Sequence, residues 1–321
     1  MIFGNWPIDE TEGAVLGYAI TAGTHNFRKG TLLTLDHIAV LKQQNVTHIF
    51  AARLEKHDIS ENDAALTVGT LLISENLEAG PPIAGRVNLF ARHAGLFHAN
   101  ASDIDAINLL DPRISIATLR NDCRVERGQM VATVKIIPFA VPQTLTEKLG
   151  DTQSKAKAID VKPFRVTRIG LIQSRLPSIR ETVLEKTKDL ISSRVERNQG
   201  SVSVEHRVAH EHAALTSSIS EVVKDCDIIV IFSASSIADE ADIVPRAIIN
   251  CGGEILRMGM PVDPGNLLVL AKLDDKYIVV APGSARSARE NSLDWILDRL
   301  MAGMQLSADD LGRMGVGGLV L

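Results

Sequence analysis

The sequence predicts an α/β fold, a mostly parallel sheet with helices on both faces, preceded by an α+β domain. Three observations carry this. From residue 165 onward, short apolar runs alternate with amphipathic segments of helical period. The run Ile228-Ile229-Val230-Ile231-Phe232 is apolar without alternation, as a strand covered on both faces of a parallel sheet is. The segment Asp151-Thr152-Gln153-Ser154-Lys155-Ala156-Lys157-Ala158 is polar and lacks apolar periodicity. It reads as a linker and divides the chain near residue 155.

In the first half, residues 34–44 read as a helix and 46–53 as a strand. Asp58-Ile59-Ser60-Glu61 resembles a capping box for a helix reaching about residue 76. Ser102-Asp103-Ile104-Asp105 repeats that pattern before a short helix to residue 110. Residues 114–119 and 130–137 read as strands around the Asn121-Asp122 turn and Gly128. Helices and strands here are segregated rather than alternating. The expected division is 1–155, 156–305 and a tail, 306–321.

In the second half, 165–172 is a strand and 179–192 a helix with Val183, Leu184, Thr187, Leu190 and Ile191 at three-to-four spacing. Gly200 breaks the chain before a strand, 201–208. A helix over 211–224 turns Ala214, Leu215, Ile219, Val222 and Val223 inward. The strand 227–232 leads to a helix over 242–250, with Asp242 as N-cap and Pro245 in its first turn. Gly252-Gly253 closes that helix, and 254–258 is the next strand. Residues 267–272 and 277–281 form a hairpin around Asp274-Asp275. A last amphipathic helix, 289–301, ends at Gly303. Strands alternating with helices of this length imply crossover connections and parallel pairing.

Composition excludes several classes of function. The chain has 321 residues, 45% of them hydrophobic, which supports a full core and argues against global disorder. A net charge of −5 argues against bulk nucleic-acid binding, and 4% aromatics against base-stacking platforms. The three cysteines, Cys123, Cys226 and Cys251, form no C-x-x-C pair. They read as small core residues in a reducing cytosol, with no structural zinc. No basic, then apolar leader opens the chain, so no secretory signal is read and a cytoplasmic location is expected. No apolar run reaches the roughly 18 residues of a membrane span.

The chemistry concentrates after the apolar run. Ser233-Ala234-Ser235-Ser236-Ile237-Ala238-Asp239-Glu240-Ala241-Asp242 joins a buried strand to a helix start. Backbone N–H groups and the helix dipole there favour an anion. Ser233, Ser235 and Ser236 can hydrogen-bond phosphate oxygens. Asp239 and Asp242 can hold Mg²⁺ through oxygen ligands, or Asp242 is simply a helix cap and the serines loop filler. Two further turns end strands of the same sheet, Pro264-Gly265-Asn266 and Pro282-Gly283-Ser284. In doubly wound folds, ligand loops gather at carboxyl ends of strands. Arg286 and Arg289 offer bidentate contacts to an anion. His210-Glu211-His212 reads as a solvated helix start. Arg86, Asn88 and Lys135 read either as surface and turn positions or as contacts to an anionic ligand. Lys135, inside an apolar strand, needs a partner.

The order of strand, Ser/Ala loop, Asp242, helix, Gly252-Gly253-Glu254, Pro264-Gly265-Asn266 and Pro282-Gly283-Ser284 resembles the molybdopterin-binding domain. Molybdopterin adenylyltransferases and molybdotransferases share that domain. Arg28-Lys29-Gly30-Thr31-Leu32-Leu33 echoes the molybdotransferase in the first half. Gly85-Arg86-Val87-Asn88-Leu89, Val134-Lys135-Ile136-Ile137-Pro138-Phe139-Ala140, residues 259–266 and Pro282-Gly283-Ser284-Ala285-Arg286-Ser287 resemble bacterial proteins in which a molybdopterin-binding half is fused to a cytidylyltransferase-like half. No Gly-rich nucleotidyltransferase motif follows Gly315-Val316-Gly317-Gly318. The sequence departs from the wider pattern at Ser233-Ala234-Ser235 (Thr-Gly-Gly), Asp239 (Gly), Asn266 (Lys) and Gln173-Ser174-Arg175 (Thr-Gly-Asp/Glu).

The resemblance implies a protein of molybdenum-cofactor biosynthesis that binds molybdopterin or its metal-bearing form. The phosphate would sit over 233–236, with Ser233, Ser235 and Ser284 donating, along with the amides of Gly265 and Gly283. Ala234, Ser236, Pro264, Asn266 and Pro282 complete the binding loops, and Arg286 supplies charge. Asp242, with Asp239, would hold Mg²⁺ or orient the transferred group in a transferase. A non-catalytic carrier serving a nucleotidyltransferase or molybdoenzyme is the alternative, and an unrelated sugar-phosphate or nucleotide binder a third. The resemblance also implies a homo-oligomer.

Overall fold

The computed structural model of the chain describes residues 1–152 and 157–320. The chain forms two compact units, Met1–Lys162 and Pro163–Leu321.

The second unit is organised by one six-stranded sheet. Its strands are β1 (Thr167–Arg175), β2 (Gly200–Ala209), β3 (Ile228–Phe232), β4 (Glu254–Met258), β5 (Val269–Leu273) and β6 (Lys276–Ala281). Their spatial order is β2-β1-β3-β6-β5-β4. β1 pairs parallel with β2 and β3, and β3 pairs parallel with β6. β5 runs antiparallel to both β6 and β4. The sheet is therefore parallel across four strands and mixed at one edge. The two-residue Asp274-Asp275 turn explains the mixture, because so short a link makes a hairpin and cannot cross over. Asp274 takes the positive φ, 53°, that such a turn asks for.

Four helices connect and close this sheet: α1 (Glu181–Glu196), α2 (His212–Val222), α3 (Ile243–Asn250) and α4 (Ser292–Met301). Residues of opposite parity on β1 meet helices on opposite faces. Gln173 Nε2 donates to the Leu184 carbonyl of α1 at 2.9 Å. One face over, a Cβ on Gly170 would fall 2.3 Å from Val222 Cγ1 and 2.8 Å from Cys226 Sγ, at the end of α2. Gly170→Ala is expected to overpack this contact and cost about 1–3 kcal/mol, read as an earlier denaturant midpoint. On the same face as α2, Ile229 and Ile231 of β3 pack in one core with Leu215, Ile219, Val244 and Ile248. Capping sets the helix starts. Asp242 Oδ1 accepts from Ile243 N at 2.6 Å. Asn291 and Asp294 form a capping box that starts α4 at Ser292, three residues after the expected start.

The first unit is sheet-rich. Arg86–Ala91 and Met130–Ile136 pair antiparallel at the centre of a sheet flanked by Ile114–Thr118 and Leu77–Ala79. The helix Glu61–Leu72 lays Ala65, Val68 and Leu72 against Val87, Leu89, Val134 and Ile136 in one buried cluster. A separate cluster holds Leu16, Leu33, Leu41 and Ile49. Ser60 caps Glu61–Leu72 by accepting from Asp63 N, so the capping pair is Ser60/Asp63 rather than Asp58/Glu61. The helix stops four residues short of the expected residue 76. Its chain instead binds a neighbouring strand, with Ser74 Oγ and Asn76 Nδ2 both donating to Asp160.

Several strands of this unit carry no clear sequence signal, three of the longer ones among them. Ile2–Pro7 is an edge strand containing Gly4, Asn5 and Pro7, residues that sheets tolerate mainly at edges. Arg86–Ala91 and Gly95–Ala99 are interrupted by Asn88 and His98.

The boundary between units lies after Lys162, not near residue 155. Of the segment read as a linker, 153–156 fall outside the described residues, while Gln143–Thr152 is helical. Ile159–Pro163 joins Gly95–Ala99 as a sheet strand, which carries the first unit past the linker. Residues of the expected tail belong to the second unit, where Leu306 and Leu311 are buried and Leu319 bridges Asp263.

Asp160 links this strand to pH. Burial alone would raise its pKa, but hydrogen bonds from Ser74, Asn76 and the Val161 amide hold it below the ordinary aspartate value. A folded value below the unfolded one stabilises above the unfolded pKa and is lost as pH falls through the folded pKa. The chain is thus expected to out-melt Asp160→Asn near neutral pH and to converge with it as the pH drops below about 4. Thermal melts across pH check this.

No helix among the described residues is long and apolar enough to cross a membrane.

Candidate functional site

Sheet register explains where the candidate chemistry of one edge gathers. Phe232 ends β3 opposite Ala281, which ends β6. Val269 starts β5 opposite Val280 and beside Met258, the end of β4. Gln173, near the end of β1, pairs with Phe232. Chain turns at 174–177, 233–236, 259–268 and 282–286 therefore all leave the same edge.

Two of these turns close around a cavity of about 140 Å³, lined by Ser233, Ala234, Ser235, Ser236, Pro282, Gly283 and Arg286, with Leu267 as a wall. The 233–236 loop is fixed from within. Ala234 N donates to Ser174 Oγ at 2.9 Å, and Ser235 N to Ser233 Oγ at 3.3 Å. Two loop amides are thus already satisfied. The side-chain handles left for a ligand are serine hydroxyls and one guanidinium.

Arg286 supplies that charge. Its Nη1 donates to Thr187 Oγ1 at 2.5 Å and its Nη2 to the Ser233 carbonyl at 3.5 Å. The guanidinium lies 5.0 Å from the centre of the Phe232 ring. It is half-buried, and among the described residues it forms no ion pair with a carboxylate. Burial pushes its pKa below the ordinary arginine value, though an arginine so shifted stays protonated. Gly283 beside it is exposed, and a Cβ there would meet nothing within 4 Å.

The turn bearing Arg286 is anchored from behind by Arg194, a buried cation on the apolar stripe of α1. Arg194 donates to the carbonyls of Ala285 and Ser287, both at 2.5 Å, and to Asp294 Oδ1 at 3.1 Å. Arg197 reaches the same oxygen at 2.8 Å.

Other expected site residues lie elsewhere. Pro264 and Gly265 pack beneath the start of α4, where Ser292 N donates to the Pro264 carbonyl and Ser292 Oγ to that of Gly265. Gly265 holds φ at 125°, and a Cβ there would lie 2.1 Å from Ser292 Oγ. This glycine serves close packing rather than the cavity. Asn266 is exposed, its carbonyl accepting from Met260 N. Ser284 does not line the cavity. Its Oγ is buried without a hydrogen-bond partner among the described residues. Arg289 is exposed, and its carbonyl helps to hold Arg194.

The two carboxylates are used locally. Asp239 Oδ1 accepts from Ala241 N at 2.8 Å, and Asp242 caps α3. Neither lines the cavity, and among the described residues no three His, Cys, Asp or Glu side chains gather as a metal site. Of the histidine pair, His210 Nδ1 lies 3.0 Å from Ser174 Oγ. It faces an open recess of about 340 Å³ with Arg175, Leu176, Pro177, Ile179, Ala209 and Glu211. Ser174 therefore bridges this recess to the cavity loop. From the sequence, Ser174 reads only as part of a turn that departs from the family pattern and Thr187 only as a helix-face position, while Arg194 and Leu267 are given no site role. Only Arg194 carries a signal there, a charge falling three after Ile191 and seven after Thr187 on an apolar face.

A scan against protein-family models finds no match, and neither does a search of curated proteins. Solved structures do overlap. One is a molybdenum cofactor biosynthesis protein from Pyrococcus furiosus, 10% identical, covering 97% of this chain and 65% of that one at a TM-score of 0.28. A second is the molybdopterin biosynthesis MoeA protein from Pyrococcus horikoshii, 11% identical over 97% of this chain and 77% of that one, TM-score 0.33. A third is the molybdopterin biosynthesis enzyme MoaB from Thermus thermophilus, 15% identical over 43% of this chain and 98% of that one, TM-score 0.30. The chain spans about 65% of the length of the Pyrococcus furiosus protein. Superposition this loose decides nothing about activity.

Proposed function

We propose that the second unit binds the phosphate end of a molybdopterin-type ligand and acts in molybdenum-cofactor biosynthesis. The observation that carries the reading is Arg286, a half-buried cation without a carboxylate partner, aimed into a serine-lined cavity. A desolvated guanidinium beside hydroxyl donors is chemistry for a phosphate. Size sets the pose. Whole small-molecule sites measure about 300–1,000 Å³, so a cavity of about 140 Å³ takes a phosphate and not a tricyclic ring. The ring would lie outside it, along the recess flanked by Arg175 and His210. Ser233, Ser235 and Ser236 donate to the phosphate, and Arg286 neutralises it. The motif order that resembles the molybdopterin-binding domain names the ligand.

The reading is binding rather than transfer. Asp239 and Asp242 are engaged with loop amides, so a role for them in Mg²⁺ binding or catalysis has no geometric support. A carrier that passes its ligand to another protein fits these residues better than a nucleotidyltransferase.

The test is retention. Purified chain is incubated anaerobically with molybdopterin, freed of unbound ligand, oxidised and assayed by pterin fluorescence. Pterin retained near one equivalent per chain, with no product when ATP, CTP or molybdate is added, is the expected result. No retention, or turnover, overturns it.

A further inference from the structure

The first unit holds a larger cavity of its own, about 600 Å³. It forms where the start of the helix Glu61–Leu72 meets the Gly85 turn and the segment 137–139 that follows the strand Met130–Ile136. Backbone bonds fix this frame. Glu61 N donates to the Phe139 carbonyl, Gly85 N to Asn62 Oδ1, and Ile136 N to the Gly85 carbonyl, each at 2.8 Å. Gly85, next to the lining residue Ala84, holds φ at 69°. A Cβ there would fall 2.7 Å from Glu61 Oε2 and 2.9 Å from the Ile136 carbonyl.

Two lysines enter this space. Lys135, the strand lysine in need of a partner, donates to the Ala84 carbonyl, and Lys29 Nζ lies 5.5 Å from the centre of the Phe139 ring. Neither forms an ion pair among the described residues. Glu61 faces them. Its carboxylate accepts no hydrogen bond among the described residues, and burial raises its pKa while Lys135 and Lys29 pull the other way. Asn62 stands beside it, with its amide nitrogen unused among the described residues.

The remaining wall is apolar and aromatic: Phe3, Ile137, Pro138 and Phe139. The chain has only eight Phe, two Tyr and two Trp, yet Phe3 meets Tyr18, Phe50 and Phe139 at centroid distances of 6.2, 6.2 and 6.3 Å. Phe3 remains 44% exposed and Tyr18 57%. Gly17 makes room for this arrangement, since a Cβ there would lie 2.7 Å from the Phe3 ring. A contiguous exposed aromatic patch of this kind marks a contact surface, and Phe3 and Phe139 carry it into the cavity.

Two lysines against one carboxylate, with no ion pair formed between them among the described residues, leave positive charge for an anion. A lone carboxylate with a side-chain amide beside it suits ring N–H and carbonyl groups, and the apolar wall suits a flat ring. The volume exceeds what a bare inorganic ion needs and falls in the range of small-molecule sites. We propose that this cavity binds a planar heteroaromatic phosphate of the nucleoside monophosphate class, with its phosphate between Lys29 and Lys135 and a ring amino group on Glu61.

Calorimetric titration of the full chain with AMP, GMP, CMP and UMP, and separately with inorganic phosphate, tests this. At least one nucleotide is expected to bind at one site per chain, more tightly than phosphate. Lys29→Met and Lys135→Met should each weaken it about tenfold or more, and Glu61→Ala should narrow the preference among bases. Lys29 is exposed on a loop, so its variant keeps the fold even if that of Lys135 does not. Arg286→Ala should leave nucleotide binding unchanged, which separates this cavity from the one in the second unit. No binding up to millimolar nucleotide, equal affinity for inorganic phosphate, or affinity unchanged in Lys29→Met overturns the proposal.

Discussion

Replacing Asp294 with alanine is expected to destabilise the second unit by about 3–5 kcal/mol, the cost of removing one partner of a buried ion pair. Asp294 and Arg194 have side chains only 3% and 5% exposed. Removing the carboxylate strands the Arg194 guanidinium without its counter-charge and takes from Arg197 an acceptor at 2.8 Å. It also deletes half of the capping box, since Asp294 Oδ2 accepts from Asn291 N at 3.0 Å. Cap loss alone costs about 1 kcal/mol. The effect reaches the proposed ligand cavity, because Arg194 holds the carbonyls of Ala285 and Ser287 on either side of Arg286. Asp294→Ala should therefore show an earlier denaturant midpoint and, below the new midpoint, weaker ligand retention. A midpoint shift under about 1 kcal/mol would mean that the pair is not desolvated as its burial requires.

Arg286→Ala is expected to have the opposite profile. Charged hydrogen bonds are worth about 1.5–3 kcal/mol, so ligand affinity should fall about 10- to 100-fold. Without ligand the variant should be as stable as the parent. Arg286 stays half-buried without a carboxylate, a state that costs desolvation energy. Its partner Thr187 keeps a bond to the Val183 carbonyl, so removing the guanidinium orphans no donor there. Arg286→Lys restores charge but not the fork and should recover only part of the affinity. A large stability loss in Arg286→Ala, with affinity per folded molecule unchanged, would make Arg286 a structural residue.

Much of the second unit was legible because local signals agreed. The apolar run at Ile228–Phe232, the Asp242 cap and the Gly252 stop each follow from residue type, and each is where the residues place it. The antiparallel edge was less legible, since the hairpin turn was read but not its consequence for strand direction. In the first unit, Arg86–Ala91 hides because burial alternates under a mixed sequence. The strand Ile159–Pro163 hides because it belongs to a neighbour far back in the chain, Gly95–Ala99.

The candidate site divides in the same way. The 233–236 loop and the 282–286 turn, singled out as small residues after buried strands, do meet around one cavity. Gly265 misled because a glycine with positive φ is equally the mark of close packing, here against Ser292. Asp239 and Asp242 misled because a cap and a metal ligand use the same carboxylate. Ser174 and Arg194 act through partners 60 and 100 residues away, a pairing that no local pattern encodes.

The most direct measurement is a crystal structure of the chain with molybdopterin bound. The expected result places the phosphate within hydrogen-bonding distance of the Arg286 guanidinium and the serine hydroxyls of 233–236, with the ring along the recess of Arg175 and His210. A ligand seated elsewhere, with Arg286 still bonded only to Thr187 and Ser233, would contradict it.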